Sequence, residues 1–177
     1  MKVAVLQSNY IPWKGYFRLI NTVDIFSFYD NVQFTKNDWR NRNTIMMNDN
    51  LIWQTIPVSK DAVKSNISEV NFIDTDWKRK HIKTFKQAYS KAPFFKVIHD
   101  LYCDTLVDFN SDNLSILNQK LIIEICSYIG INTKILNQPF LNSGENKSVR
   151  LVKYLNSLGA TEYYSGLRGK NYLDEEL

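Results

Sequence analysis

Two polar stretches early in the chain carry the side chains best suited to hold an anion and move a proton. In the first, QSNYIPWKGY over 7–16, Gln7 and Asn9 offer amide heads and Lys14 a positive charge, while the start of the following helix offers unpaired N–H groups. Gly15 leaves room for close backbone approach. In the second, DNVQFTKNDWRNR over 30–42, two arginines, a lysine and two acids surround Trp39. If this stretch is extended, alternation sets Lys36, Asp38, Arg40 and Arg42 on one side. Arginine forks there would match a phosphate or carboxylate in a bidentate way. The same residues also describe a plain strand-to-helix turn, with Tyr10, Trp13 and Tyr16 as packing residues, and a solvated loop of weak mutual ion pairs. The density of mixed polar groups beside a sheet edge favours the functional reading.

His81, in WKRKH over 77–81, is a third candidate. An imidazole titrates near neutrality and can serve as acid, base or phosphate ligand; a lone helical histidine is more often structural or exposed. A fourth is SGLRGKNY over 165–172, where two glycines with Arg168 and Lys170 could cradle an anion, or form a simple turn. Its spacing is not that of a P-loop. G-x-S-x-G, H-E-x-x-H and G-x-G-x-x-G are all missing, which disfavours the hydrolases, zinc proteases and dinucleotide enzymes that use them.

The elements that must position these groups begin with an apolar strand at Val3–Leu6. Pro12 fits the first turn of a helix whose apolar face is Trp13, Tyr16, Phe17 and Ile20. Val23–Tyr29 is a second strand, ending at Asp30 beside Gln7. Asn43–Met47 and Leu51–Val58 pair as a hairpin across an Asn-Asp-Asn turn, with Pro57 at an edge or end. Val70–Ile73 reads as a short strand. From Asp76, taken as an N-cap, three helices follow over 77–90, 95–109 and 114–129, the last closed by Gly130. Strands at Thr133–Leu136 and Thr161–Ser165 flank a helix over 148–158 closed by Gly159. The pattern predicts one α/β domain over 1–177: a Rossmann-like, mostly parallel sheet with helices on its faces and a mainly helical segment over 76–130. The ending DEEL reads as a helix cut short, so a further C-terminal part is expected to be missing.

Composition adds bounds. The chain is 44% hydrophobic and 23% charged, ordinary for a globular protein. A net charge of +4, spread along 177 residues, suits a small anionic substrate and does not by itself argue for nucleic acid. The basic cluster Lys78–Lys83 reads as helix surface. Cys103 and Cys126 read as reduced core residues, and with only His81 and His99 as companions no metal site is expected. The N-terminal apolar run is too short for a signal peptide and no stretch has the length of a membrane span, so a cytoplasmic protein is expected.

The stretches LQSNYIPWKGYF, YDNVQFTKNDWRNRN, IPVSK, WKRKH and LGATEYYSGLRGKNYL together resemble the WbqC-like family over essentially the whole chain. The family's opening motif reads LQPxYxPWxGYF; Ser8 stands here where proline is common, and the resemblance implies a C-terminal continuation that is expected to be missing here. The resemblance implies a role in bacterial O-antigen (lipopolysaccharide) and other surface polysaccharide biosynthesis. By position it carries over Gln7, Asn9, Lys14, Asp30, Gln33, Lys36, Trp39, Arg40, Asn41, Arg42 and His81 as motif residues.

The combined expectation is a transferase acting on a nucleotide-linked or amino sugar by acyl or aminoacyl transfer. His81, Asp30 and Lys36 are its candidate catalytic groups, and Gln7, Asn9, Lys14, Gln33, Trp39, Arg40, Asn41 and Arg42 would bind the anionic nucleotide sugar or acyl donor. A nucleotide-dependent carboxylate-activating enzyme and a non-catalytic sugar- or nucleotide-binding protein are the alternatives. The sequence names no cofactor and no oligomeric state.

Overall fold

Alternation along two short strands decides which helices cover which face of the sheet. In the computed structural model, which describes residues 1–137 and 147–166, β1 (Lys2–Leu6) and β2 (Ile25–Phe28) are joined through α1 (Lys14–Thr22) and pair in parallel. Ala4, Phe26 and Phe28 point to one face, where Tyr16, Phe17 and Ile20 of α1 and Ile122 and Cys126 of α4 (Leu114–Tyr128) close over them. Val3, Val5 and Ile25 point to the other, against Leu151, Tyr154 and Leu155 of α5 (Lys147–Ser157). A sheet buried on both faces explains why these strands read as continuous apolar runs. With β5 (Lys134–Leu136) and β6 (Glu162–Tyr164) the parallel sheet has the order β5-β2-β1-β6.

A second core lies beside the sheet. There α2 (Asp76–Tyr89) and α3 (Phe95–Val107) pack with the near half of α4 around Tyr10, Ile56, Trp77, Tyr102, Leu106, Leu114 and Leu117. Helix α4 joins the two cores, since its first turns serve one and its last turns the other. A hairpin of β3 (Arg42–Met47) and β4 (Asn50–Thr55) lies against α2. Its two turn residues, Asn48 and Asp49, both take positive φ (49° and 59°), the backbone of the tight turn that matches strand twist.

Several boundaries differ from the sequence reading. Helix α1 starts at Lys14, not at Pro12, because Ile11 takes a φ of 44° and the chain stays extended to Trp13. The space above Gly15 is filled by the Trp13 indole, whose ring atoms lie 2.1–2.5 Å from where a Cβ would sit. Val70–Ile73 forms no strand, only the isolated bridges Val58↔Phe72 and Asn71↔Asn113. Strand β4 stops at Thr55, leaving Pro57 beyond its end. Asp76 is the first residue of α2 and not its cap; its N–H donates to Asp74 Oδ1 at 3.0 Å. Residues 167–172 of the glycine-containing loop, and the C-terminal DEEL, lie outside the described residues.

Asn113 caps α4 as Ser68 anchors it. Its Oδ1 accepts from Ile116 N–H at 3.0 Å, and its Nδ2 donates to the Ser68 carbonyl at 2.8 Å. Asn113→Ala is expected to cost about 1–2 kcal/mol of unfolding free energy, read from the urea midpoint at an unchanged m value.

Candidate functional site

Both polar stretches converge on the carboxyl end of β1, and there they bind mainly each other. Asp30, buried at the end of β2, accepts from the Ser8 N–H at 2.8 Å on one oxygen and from the Ser115 hydroxyl and Gln119 Nε2 on the other. The Arg40 guanidinium donates to Asn9 Oδ1 and, at 3.1 Å, to Gln7 Oε1, and lies 3.6 Å from Asp38. Asn118 of α4 donates to the Arg40 carbonyl at 2.8 Å. Tyr16, whose hydroxyl donates to the Gln7 carbonyl at 3.0 Å, is held well above the usual phenol range by burial and by nearby Asp30. Residues 7–9 are thus clamped from β2, α4 and the 38–40 turn.

The 35–41 segment is a series of turns and not extended, because Asn37 adopts a left-handed φ of 62°. Arg40 and Arg42 therefore do not share a face. Arg40 turns inward, while Arg42 donates to Asn37 and its guanidinium carbon lies 4.2 Å from the centre of the Trp53 ring. Half-exposed Trp39 and Trp53 pack together beside it, with ring centres 5.6 Å apart. Asn41 donates to the Ile56 carbonyl and accepts the Ile56 N–H through its own, tying the loop to the end of β4. Gln33 donates to the Val63 carbonyl at 2.8 Å. Lys14 and Lys36 are exposed.

His81 lies elsewhere, in a cleft of about 260 Å³ between the hairpin and helices α2 and α3. Helical spacing of four aligns Trp77, His81, Phe85 and Tyr89 along α2. Trp77 packs edge-on against His81, and the latter three residues line the cleft. His81 Nδ1 is 2.8 Å from the Tyr10 hydroxyl, which is itself 2.5 Å from the Tyr102 hydroxyl of α3. The other ring nitrogen is left for the backbone of Thr55. That pairing makes Nδ1 the acceptor, so the chain runs from Tyr102 O–H to Tyr10 O–H to His81. Burial pushes the His81 imidazole down to about 4, so the ring is neutral at pH 7 and is not a cationic phosphate ligand. Burial also raises both phenols, so neither ionises at neutral pH.

Tyr10 reaches the cleft because the clamped 7–9 segment leads directly into it. Its N–H donates to the Trp39 carbonyl at 3.0 Å. Ile11, also in the cleft wall, takes a φ uncommon for a β-branched residue. The Asn43 amide, donating to the carbonyls of Tyr10 and Ile11, holds it there. Gln54 completes the wall; it is 9% exposed, and its Oε1 is buried without a protein partner.

Of the sequence candidates, the cleft contains His81 alone. Tyr10, Gln54, Tyr89 and Tyr102 are the cleft residues that sequence reasoning missed as candidates. The aromatic run of spacing four around His81 was the available signal for the α2 wall. Among the described residues no group of three or more histidine, cysteine, aspartate or glutamate side chains could hold a metal ion, and no helix is long and apolar enough to cross a membrane.

Comparison with known proteins bears on the whole chain. The model of the WbqC-like protein family matches residues 7–177. Uncharacterized protein Rv1507c of Mycobacterium tuberculosis (strain ATCC 25618 / H37Rv) is 42% identical over 177 residues, covering 99% of this chain and 77% of that protein. No solved structure matches the chain.

Proposed function

The chain belongs to the WbqC-like protein family, and from that premise we propose that it is a transferase of surface polysaccharide biosynthesis that works in the His81 cleft. The observation carrying this reading is the buried Tyr102–Tyr10–His81 hydrogen-bond chain opening on the cleft. The setting, and a sugar building block as substrate, come from the family resemblance.

The chain of hydroxyls suits removal of a proton from an acceptor alcohol or amine. Tyr102 lines the cleft, and its Oη, with its proton engaged by Tyr10, is left to act as an acceptor. An acceptor hydroxyl on the sugar would donate to it. As the acceptor oxygen bonds to the acyl carbon of the donor, the donor's leaving group departs with the bonding electron pair. The hydroxyl proton passes to Tyr102, that of Tyr102 to Tyr10, and that of Tyr10 to His81 Nδ1. Neither phenol needs to exist as a free phenolate, which their raised pKa values forbid at neutral pH. An imidazole with a pKa of about 4 is a weak base, so proton transfer accompanies bond formation. Gln7, Asn9, Asp30 and Arg40 act in this reading as positioning residues that hold the segment leading to Tyr10. Arg42 and Lys14, exposed or half-exposed outside the cleft, are the candidates for the anionic part of the donor.

The test is a mass-spectrometric screen for transfer from acyl and aminoacyl donors to free and nucleotide-linked amino and neutral sugars, followed by kinetics of Tyr102→Phe. The variant is expected to lose about tenfold to a hundredfold in kcat with little change in KM. Wild-type kcat in the variant would sink the relay. No product across the panel would sink the transferase reading in favour of a binding protein.

A further inference from the structure

We infer that the cleft takes an uncharged sugar ring and excludes a charged one, with ring hydroxyls donating to Gln54 Oε1 and Tyr102 Oη. The inference rests on the transfer site proposed above and specifies its substrate.

The first ground is an unmet acceptor. Buried side-chain oxygens are normally hydrogen-bonded, and one left alone costs the fold free energy. Gln54 lines the cleft, and its Oε1 is buried and has no protein partner. The other amide in the wall does not share this property. Asn43 donates through Nδ2 to two carbonyls and accepts from the Thr44 N–H through Oδ1. A group missing its partner beside an open cavity is poised for a donor that arrives with the ligand.

The second ground is the sign of the remaining groups. Tyr102 lines the cleft and has its proton engaged by Tyr10, so that its oxygen can only accept. Tyr89 accepts the Met46 N–H at 3.0 Å, leaving its own hydroxyl proton to donate. Gln54 Oε1 and Tyr102 Oη are thus acceptors in the wall, and the Tyr89 hydroxyl a donor. None of its lining side chains is a lysine, arginine, aspartate or glutamate, and its one histidine is neutral. A carboxylate or phosphate entering would shed water and meet no cation, which is costly. This differs from the anionic substrate that the polar stretches suggested, since Arg40 and Arg42 do not line the cleft.

The third ground is size and wall. About 260 Å³ is below the roughly 300 Å³ at which pockets for drug-sized ligands begin, so one ring fits and a whole nucleotide sugar does not. Phe85 and the tyrosines give apolar surface for the C–H face of a pyranose, while its hydroxyls supply donors to Gln54 Oε1 and Tyr102 Oη. A flat apolar ring would leave Gln54 Oε1 unpaired.

The test uses the full chain and three probes: glucose, N-acetylglucosamine and glucuronate. Binding is measured by calorimetry and saturation-transfer NMR, and melting is followed without ligand. At least one neutral sugar is expected to bind about tenfold or more tighter than glucuronate. Gln54→Met should weaken that binding by about tenfold, the loss of one hydrogen bond. The same variant should melt at or above the wild-type temperature, because a partnerless buried acceptor has gone. Equal or tighter glucuronate binding, no binding of any probe, wild-type affinity in the variant, or a lowered melting temperature would each overturn the inference. Neutral-sugar binding without any transfer product leaves the inference standing and sinks the transferase alone. Transfer to charged rings as readily as to neutral ones sinks the inference and leaves the transferase.

Discussion

Asp30→Ala is expected to lower the unfolding free energy by about 3–5 kcal/mol, the largest loss of stability from any single side chain in the polar clusters. The carboxylate is 4% exposed and binds three donors from distant parts of the chain. The Ser8 N–H, on the segment after β1, takes one oxygen; Ser115 and Gln119, on the first turns of α4, take the other. Truncation leaves three donors facing a void. Ser115 can turn its hydroxyl and Gln119 keeps its bond to Ser115, at 2.9 Å, but the buried Ser8 N–H loses its acceptor. Asp30→Asn should fall between, since its single carbonyl oxygen can serve Ser8 or the α4 pair but not both. Urea unfolding of the three proteins at neutral pH measures this. A loss under about 1 kcal/mol in the alanine variant would show that the carboxylate is not what joins the sheet to α4. It would also remove the ground for treating Asp30 as a positioning residue.

Acid is expected to destabilise the protein through His81, by up to about 3 kcal/mol between pH 6.5 and 4. In the unfolded chain an imidazole takes up its proton near pH 6.5. In the folded chain burial delays uptake at His81 to about pH 4. Through that window the unfolded state holds more protons, so the native state is progressively less favoured as pH falls, and the loss is complete below pH 4. Tyr10 and Tyr102 face the ring through the hydrogen-bond chain and stay neutral throughout, so neither offsets the effect. Carboxylates titrate at the low end as well, so the quantity to measure is a difference. The stability of wild type minus that of His81→Gln, by urea unfolding at intervals from pH 7.5 to 4, should rise with pH and level off above 6.5. A flat difference would mean that His81 is no more shielded in the native protein than in the unfolded one.

The sheet was legible because β1 and β2 are almost wholly apolar and the α1 stripe repeats at helical spacing. Residues such as Val3 and Phe26 can only be satisfied between two layers. The hairpin was legible from Asn48-Asp49, side chains that tolerate the left-handed backbone the turn needs. The clustering of Gln7, Asn9, Asp30 and Arg40 was also legible, since the end of one parallel strand lies beside the end of the next. What they bind was not, because Ser115, Gln119 and Asn118 come from α4, 78–89 residues away from their partners. The alternation expected for Lys36 to Arg42 failed at Asn37, whose left-handed backbone turns the chain. Tyr10 read as a packing residue because it is one: it is fully buried. Only a partner 71 residues away on α2 and another 92 away on α3 make its hydroxyl chemically relevant.

The placement of β1 inside the sheet has a consequence for how the protein is made. Its Val3 aligns with Ile25 on one side, some twenty residues on, but with Tyr163 on the other only after about 160 have been added. At ribosomal speeds of roughly 5–20 residues per second, that edge stays open for roughly ten to thirty seconds. Val3 and Val5 must also wait for Leu151, Tyr154 and Leu155 to cover them. A nascent chain therefore displays an apolar strand with unpaired backbone, the feature through which chains associate wrongly. The second core needs nothing beyond Leu121 and can form first, giving the emerging chain a folded body against which the sheet is later completed.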